Sequence, residues 1–568
     1  MKINYFLLIF FSLSLSAQTT LIGTTVPDLT AYGETNYVGQ AQYDIFLSGD
    51  GVLDKPIIVV DGFDPGDTRS ITGLYDLLSY EATSGTENLA DFVRGEGFDV
   101  VILNFPIYTR PDDMALIDGG ADFIERNAML LVDLINIINT DKVGNEQNVI
   151  IGPSMGGLIS RFALGYMEQQ TLDHDTRLWL SFDAPHHGAN VPIGLQHQLN
   201  VVAFGLQTTL AGDNSVVELQ PLISSFLRSP AAKQLLVDHL DAHLANGSTV
   251  DFDPSIVLPV ADPFRAIFDS NINNLTSTGY PENTRNVAII NGSGIGSAYQ
   301  DINGADISPG FALISETINV APFTDLVSGV NFTPTSTNNQ QVSFIDITFF
   351  GGSILVGGPK SANSEAPSFT DGVDAAPGGL FDIGSLTDGV DTSGLAGQFL
   401  GALNSDAFSF IPSVSGMALD ITSNGEIDWY HDFDLPGGTP PEGDVLNSTP
   451  FINYYIPDDN EPHVQLTEAN VAFALTEILA ETLSVNQFED NDIRLESNPI
   501  SSELTILSDN PINDAFLQLF DLTGKTVYSN NFDISSRTSI SLNIQSGIYL
   551  LNITNSQGLS FKTKVAVR

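Results

Sequence analysis

Val149-Ile150-Ile151-Gly152-Pro153-Ser154-Met155-Gly156-Gly157 is the stretch that decides how the rest of the chain is read. A short apolar strand ends in Gly-x-Ser-x-Gly, and the helix-prone segment Leu158 to Glu168 follows. This pattern puts Ser154 on a tight strand-to-helix turn with its Oγ projecting from a sheet edge. Gly152 and Gly156 carry no Cβ, so backbone and helix can crowd against the turn. The N-terminus of the following helix favours negative charge where an oxyanion develops. Ser154 is therefore the candidate nucleophile. The strand before it and the helix after it set it apart from a chance match.

Composition narrows the classes open to the chain. Its 568 residues exceed one ordinary domain, and 42% hydrophobic content is enough for a sizeable core. The net charge is −49, with only 20 Lys and Arg, so no basic footprint exists to neutralise phosphates. Nucleic acid and anionic membrane are excluded as electrostatic partners. No cysteine is present, so disulfides and thiol chemistry are ruled out, and stability must come from packing. Residues 1–18 read as a signal peptide: Lys2, an apolar run from Tyr5 to Phe11, then Ser-Leu-Ser-Ala, with cleavage after Ala17. That run is too short to span a bilayer, and no transmembrane anchor is expected elsewhere.

Working outward from Ser154, residues 19–485 alternate strand-like and helix-like segments. Strands are expected at Gln42 to Leu47, Pro56 to Asp61, Phe98 to Asn104, Asn148 to Gly152, Leu178 to Asp183 and Asn286 to Asn291. Most are short apolar runs, as in parallel strands covered on both faces. Between the third and fourth, apolar residues at 124, 128, 131, 134, 135 and 138 form a helical stripe. The alternation predicts an α/β domain with a mostly parallel sheet. Two insertions interrupt it. Residues from about 190 to 285 are helix-prone and should cap the strand ends. Residues from about 294 to 403 are rich in Gly, Ser, Thr, Asn and Asp and read as loops and hairpins. From about 486 the acidity ends: residues 486–568 carry six basic and nine acidic side chains, so nearly all the net charge precedes them. Short alternating strands separated by turn residues predict a small all-β sandwich there.

Beyond the turn at Ser154, two further pieces support a resemblance. Val59-Val60-Asp61-Gly62-Phe63-Asp64-Pro65-Gly66 stands where lipases carry His-Gly and a bulky residue, with Asp61 in place of that His. Ser181-Phe182-Asp183-Ala184-Pro185-His186-His187-Gly188 looks like their Thr-Pro-His-x-Gly segment, with Asp-Ala in place of Gly-Thr. Much of residues 40–483 thus resembles lipase/esterase-type α/β-hydrolases, an α/β-hydrolase sheet with a helical cap. The resemblance implies a triad in the chain order serine, acid, histidine. Of eight histidines, only His431 and His463 then lie late enough. His463 is the candidate base, because it precedes the last helix of the body, Glu468 to Leu483, capped by Thr467. Asp406, in a loop similar to the late Asp-x-x-Val-Pro-x-x-Ser of lipase-like hydrolases but with extra residues before Pro412, is the candidate acid; Asp301 is its rival. The oxyanion would be held by the backbone N–H groups of Met155 and Phe63. His186 would buttress the site.

In the tail, Ser497-Asn498-Pro499, Phe520-Asp521-Leu522-Thr523-Gly524-Lys525, Gly547-Ile548-Tyr549-Leu550-Leu551 and Phe561-Lys562-Thr563-Lys564-Val565 resemble the C-terminal sorting domain of the type IX secretion system of Bacteroidetes. This implies passage across the outer membrane by that machinery. The alternative for the tail is a carbohydrate- or cell-binding sandwich.

No phosphate loop or dinucleotide fingerprint occurs, so no cofactor is expected. Asp64-Pro65-Gly66-Asp67, Asp112-Asp113 and Pro457-Asp458-Asp459 lack EF-hand spacing, so no metal is assigned. The expectation is a secreted or surface-bound serine hydrolase of carboxylic esters, with the cap pointing to a lipid or polyester substrate. Acyl transfer or amide cleavage at the same serine, and a non-catalytic adhesion protein on a degenerate hydrolase scaffold, are the alternatives.

Overall fold

The computed structural model describes residues 18–387, 397–398, 401–419, 426–431, 433, 449–480, 493–508, 511–521, 525–554 and 560–568. The signal peptide read from the sequence lies almost wholly outside them. The chain divides into two compact units, Met1–Ile478 and Leu479–Arg568.

Among the described residues, the first unit is built on a sheet of eight strands: β1 (Thr19–Ile22), β2 (Gln40–Phe46), β3 (Pro56–Val60), β4 (Asp99–Asn104), β5 (Asn148–Pro153), β6 (Thr176–Phe182), β7 (Arg285–Ile289) and β8 (Asn453–Tyr455). Their spatial order is β1-β2-β4-β3-β5-β6-β7-β8. β2 runs against both of its neighbours, and every pair from β4 to β8 is parallel. This is the α/β-hydrolase sheet. The six strands read from the sequence correspond to β2 through β7. β1 and β8 have four and three residues and are too short to show a period.

Side chains alternate across the sheet, so each strand feeds two cores. Ile58, Val60, Val101, Leu103 and Ile150 pack on α3 (Ile124–Asp141) and α4 (Met155–Gln169). Ile57, Val59, Val100, Ile102, Val149 and Ile151 pack on the other side, against α1 (Ile71–Asp76), α2 (Leu89–Gly95) and α7 (Glu468–Ile478). Burial on both faces explains why these strands read as continuous apolar runs. α7 starts at a reciprocal cap: Thr467 Oγ1 accepts from the Asn470 amide at 3.2 Å, and Asn470 Oδ1 accepts from the Thr467 amide at 2.8 Å.

The first insertion supplies α5 (Ile193–Phe204), a π-helical turn (Ile223–Leu227) and α6 (Pro263–Asn273). α5 is buried on nearly every side. The second insertion is more regular than loops and hairpins. Ala312–Ala321, Thr324–Asn331, Asn339–Phe349 and Lys360–Glu365 form a continuous antiparallel sheet. Leu326, Val330, Val342, Ile345 and Ile347 give it one apolar face, in the same core as α5. Its polar outer face masks the alternation when composition alone is considered. α5 is tied to this sheet by His197 Nδ1 at 2.8 Å from Ser343 Oγ and by Gln198 Nε2 donating to Ser328 Oγ. A separate ribbon pairs Gly378–Asp382 with Ala407–Pro412.

The second unit has two antiparallel sheets. Ile493–Leu495, Glu503–Ser508 and Arg537–Ser541 form one; Thr526–Ile534, Ile512–Phe520, Gly547–Thr554 and Ser560–Val567 form the other. Leu504, Ile506, Leu517, Leu519, Leu551, Ile553 and Val565 share one core between them.

Candidate active site

Ser154 follows the last residue of β5 and precedes the first residue of α4, with φ 53° and ψ −130°. A non-glycine residue rarely adopts this backbone, and such strain persists only where the surroundings enforce it. Here the Ser154 amide donates to the Phe182 carbonyl of β6 at 2.8 Å, and its carbonyl accepts from Gly157 at 3.0 Å. Gly156 is required by close approach, since a Cβ there would lie 2.4 Å from the Val60 carbonyl oxygen.

His463 reaches Ser154 from the loop between β8 and α7. Its Nε2 is 2.8 Å from Ser154 Oγ. Its Nδ1 is 2.7 Å from Oδ2 of Asp183. The His463 backbone amide donates to the Leu380 carbonyl at 2.8 Å, so the Gly378–Asp382 ribbon holds the loop in place. Phe410, from the paired strand, stands edge-on to the imidazole with centroids 5.0 Å apart.

The carboxylate beside His463 is therefore Asp183, and Asp406 must be corrected. Asp406 is exposed where its ribbon strand begins, and its main-chain carbonyl accepts from Ile383. Its ribbon brings Phe410 to the site instead of a carboxylate. Asp301 is also removed from the assignment: its Oδ1 closes a local turn by accepting from Asn303 and Ala305. Asp183 is the residue directly after β6 and is 1% exposed. Its Oδ1 accepts from the Asn291 amide at 3.2 Å, and Asn291 lies just beyond β7. Gly379 packs so closely on the carboxylate that a Cβ would lie 2.1 Å from Asp183 Oδ2. The sequence signal for Asp183 was its place at a strand end between Ser154 and His463, in the chain order the triad requires.

Glu461 was also missed. Its Oε2 accepts from Asn291 Nδ2 at 2.8 Å. Burial pushes its carboxyl up to about 7, the Asn291 hydrogen bond opposes this, and the nearby Asp183 charge adds to it. Asn291 thus links two carboxylates.

Opposite His463 lies the turn after β3. Gly62 is close enough that its Cβ would be 3.2 Å from Ser154 Cβ and 3.7 Å from the Met155 amide nitrogen. The Met155 amide is the first of α4 and has no partner within the helix. The Phe63 amide makes no hydrogen bond among the described residues. Both peptides flanking Phe63 N–H are fixed. Asp61 Oδ1 accepts from the Gly62 amide at 2.7 Å, and Arg69 Nη2 donates to the Phe63 carbonyl at 2.8 Å. Arg69 also pairs with Asp61 at 3.0 Å. Burial pushes Asp61 up to about 7 against the opposing pull of Arg69.

The other histidines lie elsewhere. His431 packs edge-on to Phe433. His186 is buried, with Nε2 at 2.9 Å from Ser181 Oγ, among Trp179, Tyr280 and Phe451. Burial, and then the Arg161 charge, push it well below the usual histidine range.

Residues 498–568 match the family described as the secretion system C-terminal sorting domain. The tail is a sorting domain. The chain it carries is thus exported, to the cell surface or beyond. No helix among the described residues is long and apolar enough to cross a membrane. No curated protein matches the chain. Among solved structures, a lidless α/β serine hydrolase from Xanthomonas campestris is 13% identical, with a TM-score of 0.19, covering 30% of this chain and 62% of its own. The Bacillus licheniformis lipase BlEst2 is 12% identical over 44% of this chain and 72% of its own, with a TM-score of 0.22. An esterase from Pyrobaculum calidifontis is 15% identical over 48% and 73%, with a TM-score of 0.23. Likenesses this weak carry no weight for activity, and the fold rests on the sheet order.

Proposed function

We propose that the first unit is a serine hydrolase of carboxylic esters, with Ser154 as nucleophile, His463 as base and Asp183 as the acid. The observation that carries this reading is the unbroken hydrogen-bonded chain from Ser154 Oγ through both ring nitrogens of His463 to Asp183. A serine hydroxyl attacks a carbonyl only if a base takes its proton. With Asp183 accepting a hydrogen bond from Nδ1–H, the ring is held in the tautomer that presents an unprotonated Nε2 to Ser154. Attack on the ester carbon then moves the serine proton to Nε2. The oxyanion receives the amides of Met155 and Phe63. On collapse, His463 protonates the departing alcohol and leaves an acyl group on Ser154. Water, deprotonated by His463, releases the acid and restores the serine.

The test is labelling of Ser154 by a fluorophosphonate together with turnover of p-nitrophenyl esters. Both should vanish in Ser154→Ala. Unchanged turnover in that variant sinks the proposal. The partner proposed for the tail is the type IX secretion machinery: deleting 498–568 should retain the protein inside the cell.

A further inference from the structure

Asp183 is buried, and its carboxylate is held from two directions. Oδ2 meets His463 Nδ1, and Oδ1 accepts from the Asn291 amide at 3.2 Å. The second contact depends on how Asn291 is seated, and Glu461 grips that residue twice. The Glu461 amide donates to the Asn291 carbonyl at 2.7 Å, and Glu461 Oε2 accepts from Asn291 Nδ2 at 2.8 Å. Only Pro462 separates Glu461 from His463 in the chain. A closed ring results, running from Asp183 to Asn291, on to Glu461, through Pro462 to His463 and back to Asp183. The ribbon fastens it from outside: the Leu380 amide donates to the Glu461 carbonyl at 3.0 Å, and the Leu380 carbonyl accepts from the His463 amide.

A glutamine at 461 would serve these hydrogen bonds equally well. A carboxyl adds a charge that comes and goes near neutral pH. Asp183 at the end of β6 and Tyr455 on β8 face it, with Asp458 and His463 on its own loop. Burial, and then the Glu461 charge, push the Tyr455 phenol up, so Tyr455 stays neutral. No lysine or arginine pairs with Glu461 among the described residues. In the resting site an ionised Glu461 is therefore opposed by burial and by Asp183. Once His463 takes the serine proton, its ring is cationic and the same charge is favoured. An interaction that is stronger in the transition state than before it raises the rate.

Resting on the hydrolase reading, we infer that Glu461 is a positioning residue: it seats Asn291 against Asp183 and, when ionised, adds a second negative charge that stabilises the imidazolium of His463. Turnover accordingly gains from Glu461 above neutral pH and is served by its hydrogen bonds alone below it.

The experiment compares the full-length parent, Glu461→Gln and Glu461→Ala in kcat/KM for p-nitrophenyl acetate at pH 6 and pH 8.5. Gln keeps the acceptor for Asn291 and loses the charge. It should lie within about twofold of the parent at pH 6, where the parent carboxyl is mostly protonated, and about fivefold below it at pH 8.5. Ala loses acceptor and charge and should lie at least about tenfold below the parent at both. A parent-to-Gln ratio that is the same at the two pH values, or an Ala variant as active as the parent, overturns the proposal. Should Glu461→Ala not fold, as judged by thermal unfolding, the pH dependence of the parent-to-Gln ratio decides alone. Ethyl fluorophosphonate separates the two levels. Labelling of Ser154 in the parent together with a constant ratio removes the role of Glu461 alone, and a parent that is neither labelled nor active removes the hydrolase reading and this role together.

Discussion

Asp183 and His463 stand 280 positions apart in the chain and 2.7 Å apart in space. This pair distinguishes the proposed triad from the assignment to Asp406. Asp183→Asn should lower kcat about 10⁴-fold, because an amide no longer holds the imidazole in the right tautomer. Asp406→Asn and Asp301→Asn should stay within about twofold of the parent. Steady-state kinetics on a p-nitrophenyl ester measures all three. A large loss in Asp406→Asn with little in Asp183→Asn would reverse the assignment.

Gly379 gives a second handle on the same carboxylate. A methyl group there would overlap Asp183 Oδ2, so either the ribbon or the acid must move. Gly379→Ala should reduce kcat by about 10² or more, since small misplacements at a reacting centre carry large costs. Thermal unfolding should show the chain still folded. A variant with full activity would place Gly379 outside the positioning machinery.

Arg69 and Asp61 fix the peptides on either side of the Phe63 amide. Arg69→Gln should lower kcat by up to about 10²–10³, the loss typical of one oxyanion donor, with a smaller change in KM. A loss confined to KM would assign Arg69 to substrate binding and leave the oxyanion loop independent of it.

Burial pushes Asp374 up to about 6, against the hydrogen bonds from Thr333 and Asn190. A carboxyl that holds its proton more tightly when folded adds stability below its unfolded pKa near 4, and that contribution is lost as pH rises through 6. Buried His187 and His197, both pushed down to about 4 chiefly by burial, act in the opposite direction. The clean readout is therefore a difference. Asp374→Asn should gain stability relative to the parent between pH 4 and pH 7, measured as denaturant midpoints. A gap that stays constant across that range refutes the shift.

How much of this was legible follows from the kind of signal each part leaves. Strands buried on both faces are apolar runs, so β2 to β7 were readable. Ser154 carries a local pattern, and His463 was found by chain order and the helix after it. Asp183 carries no such pattern. Its neighbours resemble a segment in which the histidine matters, which drew attention to His186, while Asp406 resembled a late acid loop. Only the sheet brings the end of β6 beside the loop after β8. In the second insertion hairpins were readable, but their joining into one continuous sheet was not, because its apolar face meets α5, a contact that composition cannot report.

The Gly378–Asp382 ribbon gives the second insertion a role beyond decoration. It grips the backbone of His463 and presses on Asp183, so neither reactive partner is seated until nearly five hundred residues have been synthesised and packed. On the proposed hydrolase reading, a nascent or prematurely ended chain would be inert toward esters inside the cell. Trimming this insertion to make a smaller protein would dismantle the proposed centre along with it.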